Sequence, residues 1–123
     1  MSVNITPAAS TSKIFIIASV NAMANNVGCA YKLNGTANGD ISIAAADGSR
    51  TRASSGDVYE SNNSPFYTHV TCFLDSPNTT SACIFKIQAR PYDANNSHRI
   101  AFGNTGGGGG GQSQQMILQE ISA

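Results

Sequence analysis

Apolar and polar positions alternate along this chain far more often than they recur at three-four spacing, and turn residues separate the alternating runs. KIFIIASVNAM at 13–23 is the strongest strand, because its β-branched and aromatic side chains suit a pleated, buried surface. SVNIT at 2–6 precedes it, joined through Pro7 and a run of small residues. CAYKLNG at 29–35 closes on the turn dipeptide Asn34-Gly35, and DISIAA at 40–45 is entered through Asn38-Gly39. The polar stretch from Asp47 to Pro65 reads as a long surface connection, with short pairing segments near Arg50-Thr51-Arg52 and Asp57-Val58-Tyr59. FYTHVTCFLDSPNTTSACIFKIQARPY at 66–92 then reads as a hairpin of two arms around a turn cluster. In its first arm Val70, Cys72 and Leu74 share one face, and Tyr67, His69, Thr71 and Phe73 share the other, more polar face. In its second arm Cys83, Phe85, Ile87 and Ala89 form an apolar face against Ile84, Lys86, Gln88 and Arg90. HRIAF at 98–102 is a further strand, and the glycine run Gly106–Gly111 reads as a mobile loop before the last one. QMILQEISA at 115–123 closes the chain. There Met116, Leu118 and Ile121 do not keep one register, so a helix competes with a last strand; the surroundings favour the strand.

The count is about eight strands with frequent turns and no capped helical pattern. The expected fold is all-β: a single domain over residues 1–123, an antiparallel β-sandwich of jelly-roll-like architecture. No repeat of 20 to 50 residues is apparent. The longest apolar stretch, Ile14 to Ala18, is strand-sized and far short of the roughly 18 residues of a membrane helix, so membrane insertion is not expected. No basic start followed by an apolar segment and a small-residue cleavage site is visible.

Charge narrows the partners. Lys plus Arg is 7 and Asp plus Glu is 7, so the formal net charge is zero. Charged residues make up 11% of the chain, against about 25% in a typical soluble domain. A neutral, charge-poor surface gains little from counterion release, which argues against nucleic acid as a partner. It also lacks the repulsion that keeps free domains apart, and so suits a subunit of a larger assembly.

Candidate chemistry is sparse. His69 and His98 have no Cys, His or carboxylate partner at a metal-ligand spacing, so no metal is expected, and His69 reads as a surface or interface histidine. No G-x-S-x-G is present, and the cysteines fall inside strands, so no nucleophile stands in a strained turn. Nothing singles out a carboxylate pair among five Asp and two Glu. The glycine run lacks the Lys-Ser/Thr of a phosphate loop. The reading is a protein that is no enzyme and needs no cofactor. Sequons begin at Asn4, Asn34, Asn62, Asn78 and Asn95, as expected by chance in a chain rich in Asn, Ser and Thr. Cys29, Cys72 and Cys83 read as small buried hydrophobes. A symmetric hairpin about Pro77-Asn78 would instead oppose Cys72 and Cys83 at disulfide distance. The odd cysteine count favours free thiols. In the turn itself Asp75 and Ser76 can bond backbone groups ahead of them.

Four pieces of the chain carry a resemblance. ITPAASTSKIFIIASV, GSRTRASSG, FLDSPNTTSACIFKIQ and the ending MILQEISA occur in that order and span Ile5 to Ala123. Together they resemble a module found at the C-terminal ends of tail-fibre and other virion proteins of phages, especially marine ones. The resemblance implies a β-sandwich head, trimeric, in a fibre tip, adhesin or capsid-surface protein, with no catalytic residues to carry over. That module usually has a further strand-like segment before its Ile-Thr-Pro opening, where this chain has its Met1, so an exposed sheet edge is expected. The expected function is a phage tail-fibre head or knob that contributes to host-surface attachment. The rival is a capsid decoration or fibre-assembly protein that binds virion proteins and no receptor. Expected partners are two further copies, other virion proteins and a host glycan or receptor; the expected location is the virion. The loops at 47–65 and 93–97 and the glycine run are the candidate contact surfaces, with Tyr59, Tyr92, Asn95 and Asn96 as the candidate contacts. A tyrosine ring can stack on a sugar while its hydroxyl bonds outward.

Overall fold

The structure, a computed structural model, describes residues 1–25, 28–49, 51–56, 67–91, 99–102 and 113–122. Its strands are β1 (Ser2–Ile5), β2 (Lys13–Asn25), β3 (Cys29–Gly35), β4 (Gly39–Ile41), β5 (Ser55–Gly56), β6 (Tyr67–Asp75), β7 (Cys83–Pro91), β8 (Arg99–Phe102) and β9 (Gln115–Ile121). Among the described residues there is no helix. All pairings are antiparallel. One sheet runs β1-β7-β3-β4, with β5 also on β3; the other runs β6-β2-β8, with β9 on the same flank of β2 nearer its start. The protein is an all-β antiparallel sandwich, with nine described strands against the eight or so expected. It is jelly-roll-like in that its long consecutive strands change sheets instead of pairing with each other.

That change of sheet overturns the expected hairpin at 66–92. β6 pairs with β2 in one sheet, whereas β7 pairs with β3 and β1 in the other. The turn cluster between them is an arch that crosses the sandwich. β2 and β3 make a second arch, and because β2 lies beside β6 and β3 beside β7, the two arches lock the sheets together. Cys72 and Cys83 therefore lie in different sheets, and all three cysteines are free thiols. Cys29 and Cys83 are buried as expected, but Cys72 is exposed.

The core sits where the alternation of each strand turns inward. Ile14 and Ile16 of β2 meet Leu33 of β3, Ile41 of β4 and Cys83 and Phe85 of β7. Phe73, Met116 and Leu118 pack against that cluster from β6 and β9. A second cluster of Val20, Cys29 and Tyr31 fills the far end, against Ile87 and Ala89. β9 is thus a strand whose Met116, Leu118 and Glu120 face inward while Ile117 and Ile121 face out, which explains its broken register.

Two turn readings shift. Asn34-Gly35 lies inside β3, paired with Lys86 and Phe85 of β7 and with β4. The turn is Thr36-Ala37-Asn38, and it closes on Gly39 at φ 71°, a left-handed conformation that glycine adopts without penalty. DISIAA forms a strand only to Ile41.

Candidate functional site

β6 decides which surfaces are available. Its buried or half-buried positions are Tyr67, His69, Thr71, Phe73 and Asp75, so its more polar face is the one turned into the sandwich. This corrects the expectation for His69, which faces inward and is not a surface histidine. Its ring packs on Tyr31 of the other sheet, with centroids 4.1 Å apart and planes at 33°. Its Nδ1 lies 3.1 Å from Oγ of Ser55 on β5. A hydroxyl beside an imidazole is the geometry of an activated nucleophile. Here it sits against Tyr31, which is only 2% exposed. Ser55 lies in the five-stranded sheet and His69 in the four-stranded one, so the pair is a cross-sheet contact.

Asp75, at the other end of β6, is also an inter-sheet tie. It is 3% exposed. One carboxylate oxygen accepts a hydrogen bond from Asn38 Nδ2 at 2.8 Å, and the same amide donates to the Ser76 carbonyl at 3.1 Å. Asp75 thus reaches a side chain in the β3–β4 turn and not the backbone ahead of it. Its charge, together with burial as the larger cause, pushes the Cys83 thiol above its ordinary value. Beyond this tie lies an open recess of about 400 Å³, lined by Thr36, Ala37, Pro77, Thr79, Ser81 and Ala82 together with Cys83. Two of its hydroxyls are already engaged: Thr36 Oγ1 accepts from the Ile84 N–H, and Thr79 Oγ1 from the Ser81 N–H.

The outer faces of the two sheets differ in kind. On the five-stranded sheet Lys32, Lys86, Gln88 and Arg90 face out, with Ile84 exposed beside them, and Lys32 holds Asp40 in an ion pair of 2.7 Å. That pair, with a hydrogen bond from Asn34, keeps the Asp40 carboxyl below its usual range. On the four-stranded sheet exposed apolar side chains stand beside the polar Ser19, Gln115 and Gln119. Val70 is 58% exposed, Ile117 56%, Leu74 47% and Ile121 41%. Register places Cys72, Ile17 and Ile117 in one row across β6, β2 and β9, with Leu74 beside Phe15 in the next. Thr68 and Asn21 hydrogen-bond to each other at one end of this face, and Lys13 stands at the other.

No family model, curated protein or solved structure matches this chain.

Two of the sequence pieces that carry the resemblance meet in space. Glu120, in the closing Glu-Ile tail, accepts a hydrogen bond from the Ala8 N–H at 2.7 Å, just after Pro7. The buried Ser12 side chain also bonds Glu120, and together these donors hold its carboxyl below the usual carboxylate range. Tyr59, Tyr92, Asn95, Asn96 and Gly106–Gly111 all lie outside the described residues. The apolar outer face was absent from the expected contacts. Its signal was present in the sequence: the more apolar side of β6's alternation, and the two isoleucines of β9 that broke register.

Proposed function

We propose that this chain is a non-enzymatic phage virion protein, a tail-fibre head or knob that works as a homotrimer and contributes to host-surface attachment. The observation that carries this reading is the contrast between the two outer faces. A sandwich with one charged outer face and one that exposes a cluster of apolar side chains is suited to sit against another body on the apolar side. Its charged side is left to touch a surface. Attachment would then work by avidity, with weak contacts multiplied over copies and fibres. The resemblance supports the virion setting. So does the Glu120–Ala8 contact, which gives a physical reason for an Ile-Thr-Pro opening and a Glu-Ile ending in one module.

The same apolar face also favours a second reading, a decoration or fibre-assembly protein that binds other virion proteins and no receptor. Gold-labelled antibody on intact particles separates the two, together with binding of the fluorescent purified protein to host and non-host cells. Label at distal fibre ends, with saturable binding to host cells that competes with phage adsorption, is the expected result. Label on the capsid face with no cell binding would replace attachment by decoration.

A further inference from the structure

We propose that the outer face of the four-stranded sheet is the surface through which copies of this chain meet. The inference rests on the oligomeric reading above and names its interface. Three observations carry it. First, the apolar side chains are contiguous. Cys72, Ile17 and Ile117 form an unbroken row across three neighbouring strands; in the next row Leu74 and Phe15 continue it beside Gln119, and Ile121 stands beyond, opposite Lys13. The apolar patch occupies the middle of this face, with Ser19, Gln115, Asn21 and Thr68 toward one end and Lys13 at the other. A contiguous apolar patch with a polar rim marks an interaction site.

Second, among the side chains described on this face there is no carboxylate, and the cation Lys13 stands at the margin. Copies arranged about a symmetry axis bring like groups together around that axis, so a surface turned toward it must avoid concentrated charge of one sign. This face meets that demand, and the opposite face, with Lys32, Lys86 and Arg90, does not. Third, the whole chain has a formal net charge of zero, so no long-range repulsion opposes the approach of a second copy. A partner of strongly charged surface would find nothing to pair with here.

Cys72 is a built-in reporter. It lies in the apolar row and is exposed in the single chain, whereas Cys29 and Cys83 are buried. The test combines light scattering with maleimide labelling of the whole chain. The wild type should elute at a multiple of its 12.7 kDa mass, with Cys72 labelled slowly. Dilution toward the monomer should speed that labelling by at least about tenfold as the thiol becomes accessible. Val70→Asp and Ile117→Lys should each yield a monomer with an unchanged circular dichroism spectrum and fast labelling. Gln88→Glu on the opposite face should leave the assembly intact. A wild-type monomer whose Cys72 labels rapidly at every concentration overturns the proposal and leaves the face to a partner of another sequence. An assembly that survives both substitutions, or in which Cys72 labels at the monomer rate, overturns this interface while leaving the attachment reading untouched. An assembly lost on these substitutions, in a protein that never binds host cells, upholds the interface and removes the attachment reading.

Discussion

A methyl group at Gly35 would lie 2.9 Å from Cε1 and 3.1 Å from Cδ1 of Phe85. Phe85 is fully buried in the main core cluster, so its ring has no free space to yield into. Gly35 is therefore fixed by close approach and not by turn geometry. That is why Asn34-Gly35 misleads: glycine marks both tight turns and tight packing, and local sequence does not separate the two. Gly35→Ala should destabilise the fold by about 1–3 kcal/mol, the usual cost of overpacking a core. Chemical denaturation of the single variant, of Phe85→Leu and of the double variant checks the cause. If the clash is the reason, the two costs are less than additive, because a smaller side chain at 85 makes the room that alanine needs. Simple additivity would remove the explanation. His69 shows the same limit at a single position. Its alternation places it on one side of β6, but only the neighbours Tyr31 and Ser55, both distant in sequence, decide that this side is the inner one.

Most strand positions were legible because period-two alternation is a local property. β1, β3, β7 and β9 fall where the pattern places them, and β7 has the face assignment that its apolar side demands. The arch at 75–83 was not legible as an arch. Two alternating arms around a Pro-Asn turn look alike whether they pair with each other or with strands more than forty residues away. On β6 apolar content even points the wrong way, because the more apolar side of the strand faces out. Loop ties at the element scale were equally hidden, and Glu120 gives one that can be tested. Its folded carboxyl titrates below the ordinary value of 4.5, first because of the Ser12 bond and then the Ala8 N–H. A carboxyl that binds its proton less readily when folded adds stability above its unfolded pKa and loses it as pH falls through the folded one. The tie of β9 to the β1–β2 connection should thus hold at neutral pH and weaken below about pH 4.5. Glu120→Gln removes the charge at every pH. Denaturation midpoints from pH 7 to pH 3 should show the wild type ahead at neutral pH and the two proteins converging in acid. Parallel curves would mean that the Glu120 carboxylate contributes nothing. The ion pair of Asp40 with Lys32 shifts in the same direction, but it is exposed, so its loss adds little.

On the scale of the whole molecule, the sandwich is closed on the inside and unfinished on the outside. Its two arches bury one continuous set of side chains between the sheets, and a polar, charged face covers the five-stranded side. The four-stranded side ends on Val70, Leu74, Ile117 and Ile121, whose exposure to water is relieved only when another body covers them. If that body is a further copy, folding and assembly are linked, because only the folded chain presents the face. Stability then depends on protein concentration by mass action. For three chains of this length that unfold together, each tenfold rise in concentration should lift the thermal midpoint by about 4 °C. A monomer has no such dependence. Scanning calorimetry or circular dichroism over a hundredfold range of concentration measures the slope directly. The Val70→Asp variant should lose the slope and melt at the wild type's dilute-limit temperature, since Val70 stands outside the core and its replacement leaves the interior unchanged. A slope that persists in Val70→Asp would locate the association elsewhere on the molecule. A flat wild-type line would mean that the sandwich stands alone in solution and that its apolar face waits for a different partner.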